Sequence, residues 1–121
     1  MPNPTLLTAA GYGSLVVAIM HAISGREFQR IRQFQELPNI AYVRSTVGWY
    51  QGSGYLILNA LLNLNWAKNP QSLDDPLNRA MAAIMVVIAW ASSAWYLRGG
   101  VKASGLLTAV AGIFQAWAAL C

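Results

Sequence analysis

Charge is what this sequence has least of. Only 10% of its 121 residues are Asp, Glu, Lys or Arg, against about 25% in soluble globular chains. Too few charges remain to coat a water-soluble surface. The eight basic and four acidic residues sit in short segments between apolar runs, which is the layout of an integral membrane protein. Cysteine and histidine are as scarce, one of each, Cys121 and His21. A single cysteine excludes an internal disulfide, and one histidine without clustered carboxylates speaks against a protein-only metal site. No HExxH, GxSxG, phosphate-loop or dinucleotide pattern occurs, so no cofactor is expected. The only Asn-x-Thr, Asn3-Pro4-Thr5, has proline in the middle and is no glycosylation acceptor. The opening "MPNPT" carries no Lys or Arg, and the apolar run behind it reaches spanning length. It reads as a retained helix and not as a cleaved signal peptide.

What is present is hydrocarbon. The chain is 56% hydrophobic, with a mean hydropathy of +0.41. A membrane-crossing helix needs about 20 mostly apolar residues, and four segments qualify: roughly 5–24, 44–66, 77–97 and 102–120. Backbone polar groups in a bilayer must be satisfied within the segment, so these are helices. The expected fold is all-α, a single transmembrane domain over 1–121 built as a four-helix up-down bundle. Small-residue pairs, Gly48-xxx-Gly52, Gly105-xxx-Ala109 and Gly112-xxx-Ala116, permit close helix contact and offer a route to homo-oligomers.

The connectors differ in kind. In "KNPQSLDDPLN", Asp75-Pro76 is a helix start, and "RGGVK" is a tight turn. The first connector, about 25–43, is longer. Phe28, Ile31 and Phe34 recur every three residues among arginines and glutamines, which suits a short amphipathic helix on the membrane surface, ended by Pro38. Ser24-Gly25-Arg26-Glu27 matches the S-x-x-E capping box, with Ser24 capping that helix and the chain turning there. Glu36 is placed to pair with Arg32, and Glu27 with Arg30. Connectors one and three hold six basic residues (Arg26, Arg30, Arg32, Arg44, Arg98, Lys102), and the opposite side holds Lys68 and Arg79. This asymmetry puts both termini outside or in a lumen. The +4 charge thus reads as basic loops beside anionic headgroups, and no nucleic-acid partner is expected. Trp66, Trp95, Tyr96 and Trp117 fall near span ends, where interfacial aromatics anchor.

Polar groups inside a span are costly and face inward. Gln51, Tyr55, Asn59 and Asn63 follow one another at four-residue steps, one stripe along helix two. Asn59 lies on the order of 20 Å from Arg44, well into the bilayer. Asn63 and Gln115 read first as hydrogen-bonding glue between helices. The densest polar cluster lies where helix one ends and helix two begins. If the chain turns at Ser24-Gly25, His21 and Glu27 converge, and His21, Arg44, Trp49, Tyr50 and Gln51 meet at one membrane depth. The candidate catalytic set is His21, Glu27, Arg26 and Arg44: His21 or Glu27 for proton transfer, the arginines for developing negative charge. Trp49, Tyr50, Gln51, Tyr55 and Asn59 would line a lipophilic pocket.

Three classes of function fit. The first is a small membrane enzyme using cofactor-independent acid/base chemistry on a lipophilic metabolite: cyclisation, isomerisation or epoxide hydrolysis. "GWYQGSGY" (48–55) and "HAISGREF" (21–28), in a four-span chain of this size, resemble small integral membrane proteins of fungal natural-product pathways, some of them cyclase-like or hydrolase-like. The resemblance covers helices one and two, about half the chain. It implies an endoplasmic-reticulum enzyme of terpenoid or polyketide tailoring and assigns no catalytic residue. The second class is a non-catalytic subunit or adaptor of a membrane complex. The third is a transporter. In size the chain is similar to small multidrug-resistance exporters, which carry a glutamate in the middle of helix one. Here that stretch, "GYGSLVVAIM", has no acid, and Glu27 lies beyond its end, which argues against the mechanism.

Overall fold

The computed structural model describes all 121 residues, and every regular element is helical. The order is α1 (Pro4–Gln29), α2 (Arg32–Gln35), α3 (Asn39–Lys68), a 3-10 turn (Pro70–Asp74), α4 (Pro76–Arg98) and α5 (Lys102–Leu120). Three of these helices, α1, α4 and α5, are long and apolar enough to cross a membrane. The 30-residue α3 has the length, but Gln51, Asn59, Asn63 and Asn65 lower its hydropathy.

The starts and stops follow local chemistry. Asn3 Oδ1 accepts from the amides of Thr5 and Leu6 at 3.0 and 3.1 Å, with Pro4 at the first helical position, where a missing N–H costs nothing. Asp75 does the same for α4, accepting from Leu77 and Asn78 at 2.9 and 3.2 Å ahead of Pro76. Gly100, at φ 77°, makes the turn between α4 and α5, a conformation that costs glycine little.

The first connector differs from the sequence expectation. Helix α1 runs through Ser24-Gly25 without a turn and ends at Gln29. The Ser24 hydroxyl donates back to the carbonyls of Met20 (2.7 Å) and His21 (3.2 Å). A serine can spend its hydroxyl this way inside a helix, so Ser24 caps nothing and the capping box is not formed. The expected surface helix shrinks to the single turn of α2, and Phe28 belongs to α1. Arg32 and Glu36 do pair, at 2.7 Å. That is the only salt bridge, so Glu27 and Arg30 are not joined.

Contacts group the chain into two compact units, 11–61 and 1–10 with 62–121. In the second of these, α4 and α5 run antiparallel with small residues at the seam. A methyl group added at Gly105 would strike Leu97, and one at Gly112 would strike the Trp90 indole. Ser93 Oγ donates to the Gly105 carbonyl at 2.6 Å. The core beside this seam contains Leu7, Trp66, Leu73, Ala82, Met85, Ala118 and Ala119. Trp66, expected at an interface, is fully buried and its indole N–H donates to Asn78 Oδ1 at 3.0 Å. Trp95 and Trp117 are exposed.

Also buried here are Asn63 and Gln115, joined by two reciprocal amide bonds: Asn63 Nδ2 to Gln115 Oε1 at 3.0 Å and Gln115 Nε2 to Asn63 Oδ1 at 2.9 Å. This is the inter-helix glue that the sequence suggested. A double-mutant cycle of Asn63→Ala and Gln115→Ala, read by unfolding in detergent micelles, should return a coupling of about 0.6–2 kcal/mol. Strictly additive losses would show that the pair contributes nothing.

Candidate functional site

Within 11–61, α1 and α3 lie antiparallel, and two one-turn steps face each other: His21 and Gly25 on α1, Trp49 and Ser53 on α3. Gly25 decides the geometry. The Trp49 indole rests on its bare backbone, and an added Cβ would come within 2.5 Å of Trp49 Nε1. So placed, the indole N–H donates to the His21 carbonyl at 2.7 Å. Its ring stacks on the His21 imidazole, centroids 4.2 Å apart and planes 9° from parallel. Phe28 stacks on Trp49 at 5.2 Å, Phe34 meets Phe28 edge-on at 5.1 Å, and Tyr42 follows Phe34 at 5.2 Å. This aromatic run ties α2 to α1 and α3.

The imidazole is also tethered. His21 Nδ1 and Ser53 Oγ are 2.9 Å apart; the tautomer decides which one donates. Ser53 is buried, and Gly52 sits against His21 Cε1. The polar atom left to His21 is Nε2, which has no hydrogen-bond partner in the chain. It is the one imidazole position at which a proton can be taken up without breaking a contact.

The other expected site residues scatter. On an unbroken helix His21 and Glu27 point about 120° apart, so the turn that was to bring them together is missing and they do not converge. Arg26, Glu27, Arg44 and Gln51 are exposed. Tyr50 reaches the far end of α1, where its hydroxyl makes a long 3.4 Å bond to Gln29 Oε1. Tyr55 and Asn59 are half-buried one turn apart on α3. Of the expected set, only His21 and Trp49 meet. Two residues not expected are central, Ser53 and Gly25. Their signal was the register itself. Pairing His21 with an antiparallel α3 sets a small residue opposite each large one.

Two shallow open depressions mark the surface. One of about 520 Å³ is lined by Pro4, Thr5, Thr8 and Ala9. The other, of about 390 Å³, is lined by Phe28, Ile31, Gln33, Phe34 and Leu37. Neither touches His21, Arg44, Trp49 or Gln51. Where the sequence placed a pocket, the Trp49 indole lies between imidazole and phenyl rings. No three His, Cys, Asp or Glu side chains converge as a metal site would require.

If Gly25 is what admits the indole, Gly25→Leu should lower unfolding stability by about 1–3 kcal/mol, the usual cost of overpacking. Gly54→Leu, where nothing lies within 4 Å, should stay within about 0.5 kcal/mol. Equal effects in micelle unfolding would remove the special role of Gly25. Compared with protein-family models, curated proteins and solved structures, the chain finds no match in any of the three.

Proposed function

We propose that the chain is an integral membrane protein that crosses the bilayer four times, in the up-down order its connections impose, and serves as a non-catalytic subunit or adaptor. One observation carries the second half of this reading: the imidazole, the side chain best suited to proton transfer, is engaged in packing, and the charged residues do not converge on it. His21 is stacked on Trp49 and bonded to Ser53, its carbonyl holds the indole N–H, and Arg26, Glu27 and Arg44 lie away from it.

The membrane half is supported by which side chains face outward. Ile19, Ile23, Leu58, Leu61, Ile84, Val87, Leu106, Val110 and Ile113 are all more than half exposed, whereas the polar side chains of Ser53, Asn63, Ser93 and Gln115 are buried. In water that arrangement would expose large apolar patches; against lipid tails it costs nothing, and small residues are what membrane helices use for close contact. Helix α3 is about 45 Å long, and the outward Ile57, Leu58 and Leu61 suit a fourth span. The Lys and Arg asymmetry favours an orientation with both termini outside or in a lumen.

Cys121, the only thiol and exposed, tests the orientation. In intact cells or sealed vesicles it should react with an impermeant maleimide. A cysteine introduced by Arg30→Cys in a Cys121→Ser background should react only after permeabilisation. The reverse pattern overturns the orientation, and extraction of the protein by alkaline carbonate overturns the membrane reading.

A second reading, an enzyme acting on a lipophilic epoxide or polyene, is favoured by one observation, the 2.9 Å His21–Ser53 contact with Nε2 left open. His21 would move the proton, with Arg26 or Arg44 answering developing negative charge. The double variant His21→Phe/Ser53→Ala separates the two readings. It keeps an aromatic ring on Trp49 and removes both polar partners together, which is close to neutral for stability. The adaptor reading expects it to complement a gene deletion as well as wild type. Loss of complementation by a stably folded double variant would replace that reading with the enzyme.

A further inference from the structure

The remaining apolar feature with charge beside it is the depression at α2. Between α1 and α2 the chain breaks: Ile31 is extended (φ −62°, ψ 134°), and Ile31 and Phe28 are left 46% and 43% exposed. Together with Gln33, Phe34 and Leu37 they line an open trough of about 390 Å³. Its wall is firm, because Phe34 is buried and packs edge-on against Phe28 at 5.1 Å.

The charges around this trough are unbalanced. Arg30 and Arg32 flank Ile31 in the chain; Arg26 lies in the last turn of α1, and Arg30 follows the helix directly, its amide turned back onto the Glu27 carbonyl at 3.2 Å. Glu36 is answered by Arg32 at 2.7 Å. Glu27, the other acid of this region, is exposed and forms no ion pair. From 25 to 44 there are four arginines and two glutamates, an excess of two positive charges, and Arg26, Arg30 and Arg44 have no carboxylate partner. Along α1 the outward side chains run Val16, Ile19, Ile23 and then Arg26, with Arg30 just past the helix end. Hydrocarbon gives way to guanidinium within one turn, as at the boundary between acyl chains and headgroups.

We propose that this surface binds one anionic phospholipid, its phosphate held by Arg26 and Arg30 and the start of an acyl chain lying on the Phe28–Ile31–Leu37 trough. The proposal rests on the membrane reading above. A phosphate suits paired guanidinium forks, and net negative charge distinguishes phosphatidylglycerol from zwitterionic phosphatidylcholine, whose choline cancels its phosphate.

Native mass spectrometry of the delipidated full chain in detergent, titrated with phosphatidylglycerol or phosphatidylcholine of matched chains, tests it. One phosphatidylglycerol should bind about tenfold or more tighter than phosphatidylcholine, and each arginine removed should weaken it about fivefold. Arg26→Gln/Arg30→Gln should therefore abolish most of the preference while phosphatidylcholine binding stays as in wild type. Ile31→Ser should weaken both lipids, and millimolar glycerol phosphate should fail to displace the bound lipid. These side chains are exposed, so unfolding midpoints should not move. Equal binding of the two lipids by wild type, an unchanged preference in the double variant, or displacement by glycerol phosphate overturns the site. Carbonate extraction reads the membrane reading separately. A chain that resists extraction yet shows no lipid preference removes this site alone.

Discussion

Everything in 11–61 is arranged around an indole laid on a glycine. Trp49 can bring the N–H edge of its indole onto α1 only because Gly25 has no side chain, and once there it fixes its neighbours. Its N–H sets the height of α3 against the His21 carbonyl. Its two faces take an imidazole and a phenyl ring, and through Phe28 and Phe34 the order passes to α2. The hydrogen bond strengthens the arrangement because the N–H would otherwise be stranded among apolar rings, where an unmet donor costs about 1–3 kcal/mol. Packing and polar satisfaction thus select the same register.

A second regularity runs through both units: small and polar residues mark the closest helix contacts, and many large aliphatics on the same helices point away. Gly105 and Gly112 meet Leu97 and Trp90, while Leu106, Val110 and Ile113 on the same helix face outward. A water-soluble helix buries its aliphatics. In a bilayer, as proposed above, dispersion and hydrogen bonds would hold such seams, since lipid tails are as apolar as leucine and no hydrophobic gain would follow from turning inward. The same logic accounts for α3. Its amides and hydroxyls lower its hydropathy, but two of them, on Ser53 and Asn63, are buried in the seams.

Much of this was legible in the sequence. Hydrophobic run length gives α4 and α5 nearly to the residue, because Asp75-Pro76 and Gly99-Gly100 are unambiguous punctuation. That Asn63 and Gln115 hydrogen-bond between helices is readable because strong amides within apolar runs need partners; that they pair with each other is not. The first connector was misread for a physical reason. Ser-x-x-Glu marks a cap only if the serine oxygen accepts from a downstream amide, and a serine inside a helix can instead donate to the carbonyl a turn behind. Composition does not choose between these uses; the helix-favouring run Arg26, Glu27, Phe28, Gln29 does, by letting α1 continue. Without that turn, His21 and Glu27 are not brought together. Ser53 was overlooked since a lone serine carries no pattern, and only the pairing of His21 and Gly25 with α3 reveals it.

The amide pair between Asn63 and Gln115 has a consequence of its own. Each partner offers one donor and one acceptor to the other, and turning both amides over together restores the same two bonds. The contact therefore survives a swap of roles that would break an ordinary donor–acceptor pair. It is also neutral, so neither a proton gradient nor a transmembrane voltage exerts a force on it. Had a carboxylate and an ammonium joined these helices, their hold would vary with the energisation of the membrane. Two carboxamides, were these helices to span a bilayer, would hold equally in its resting and its charged state.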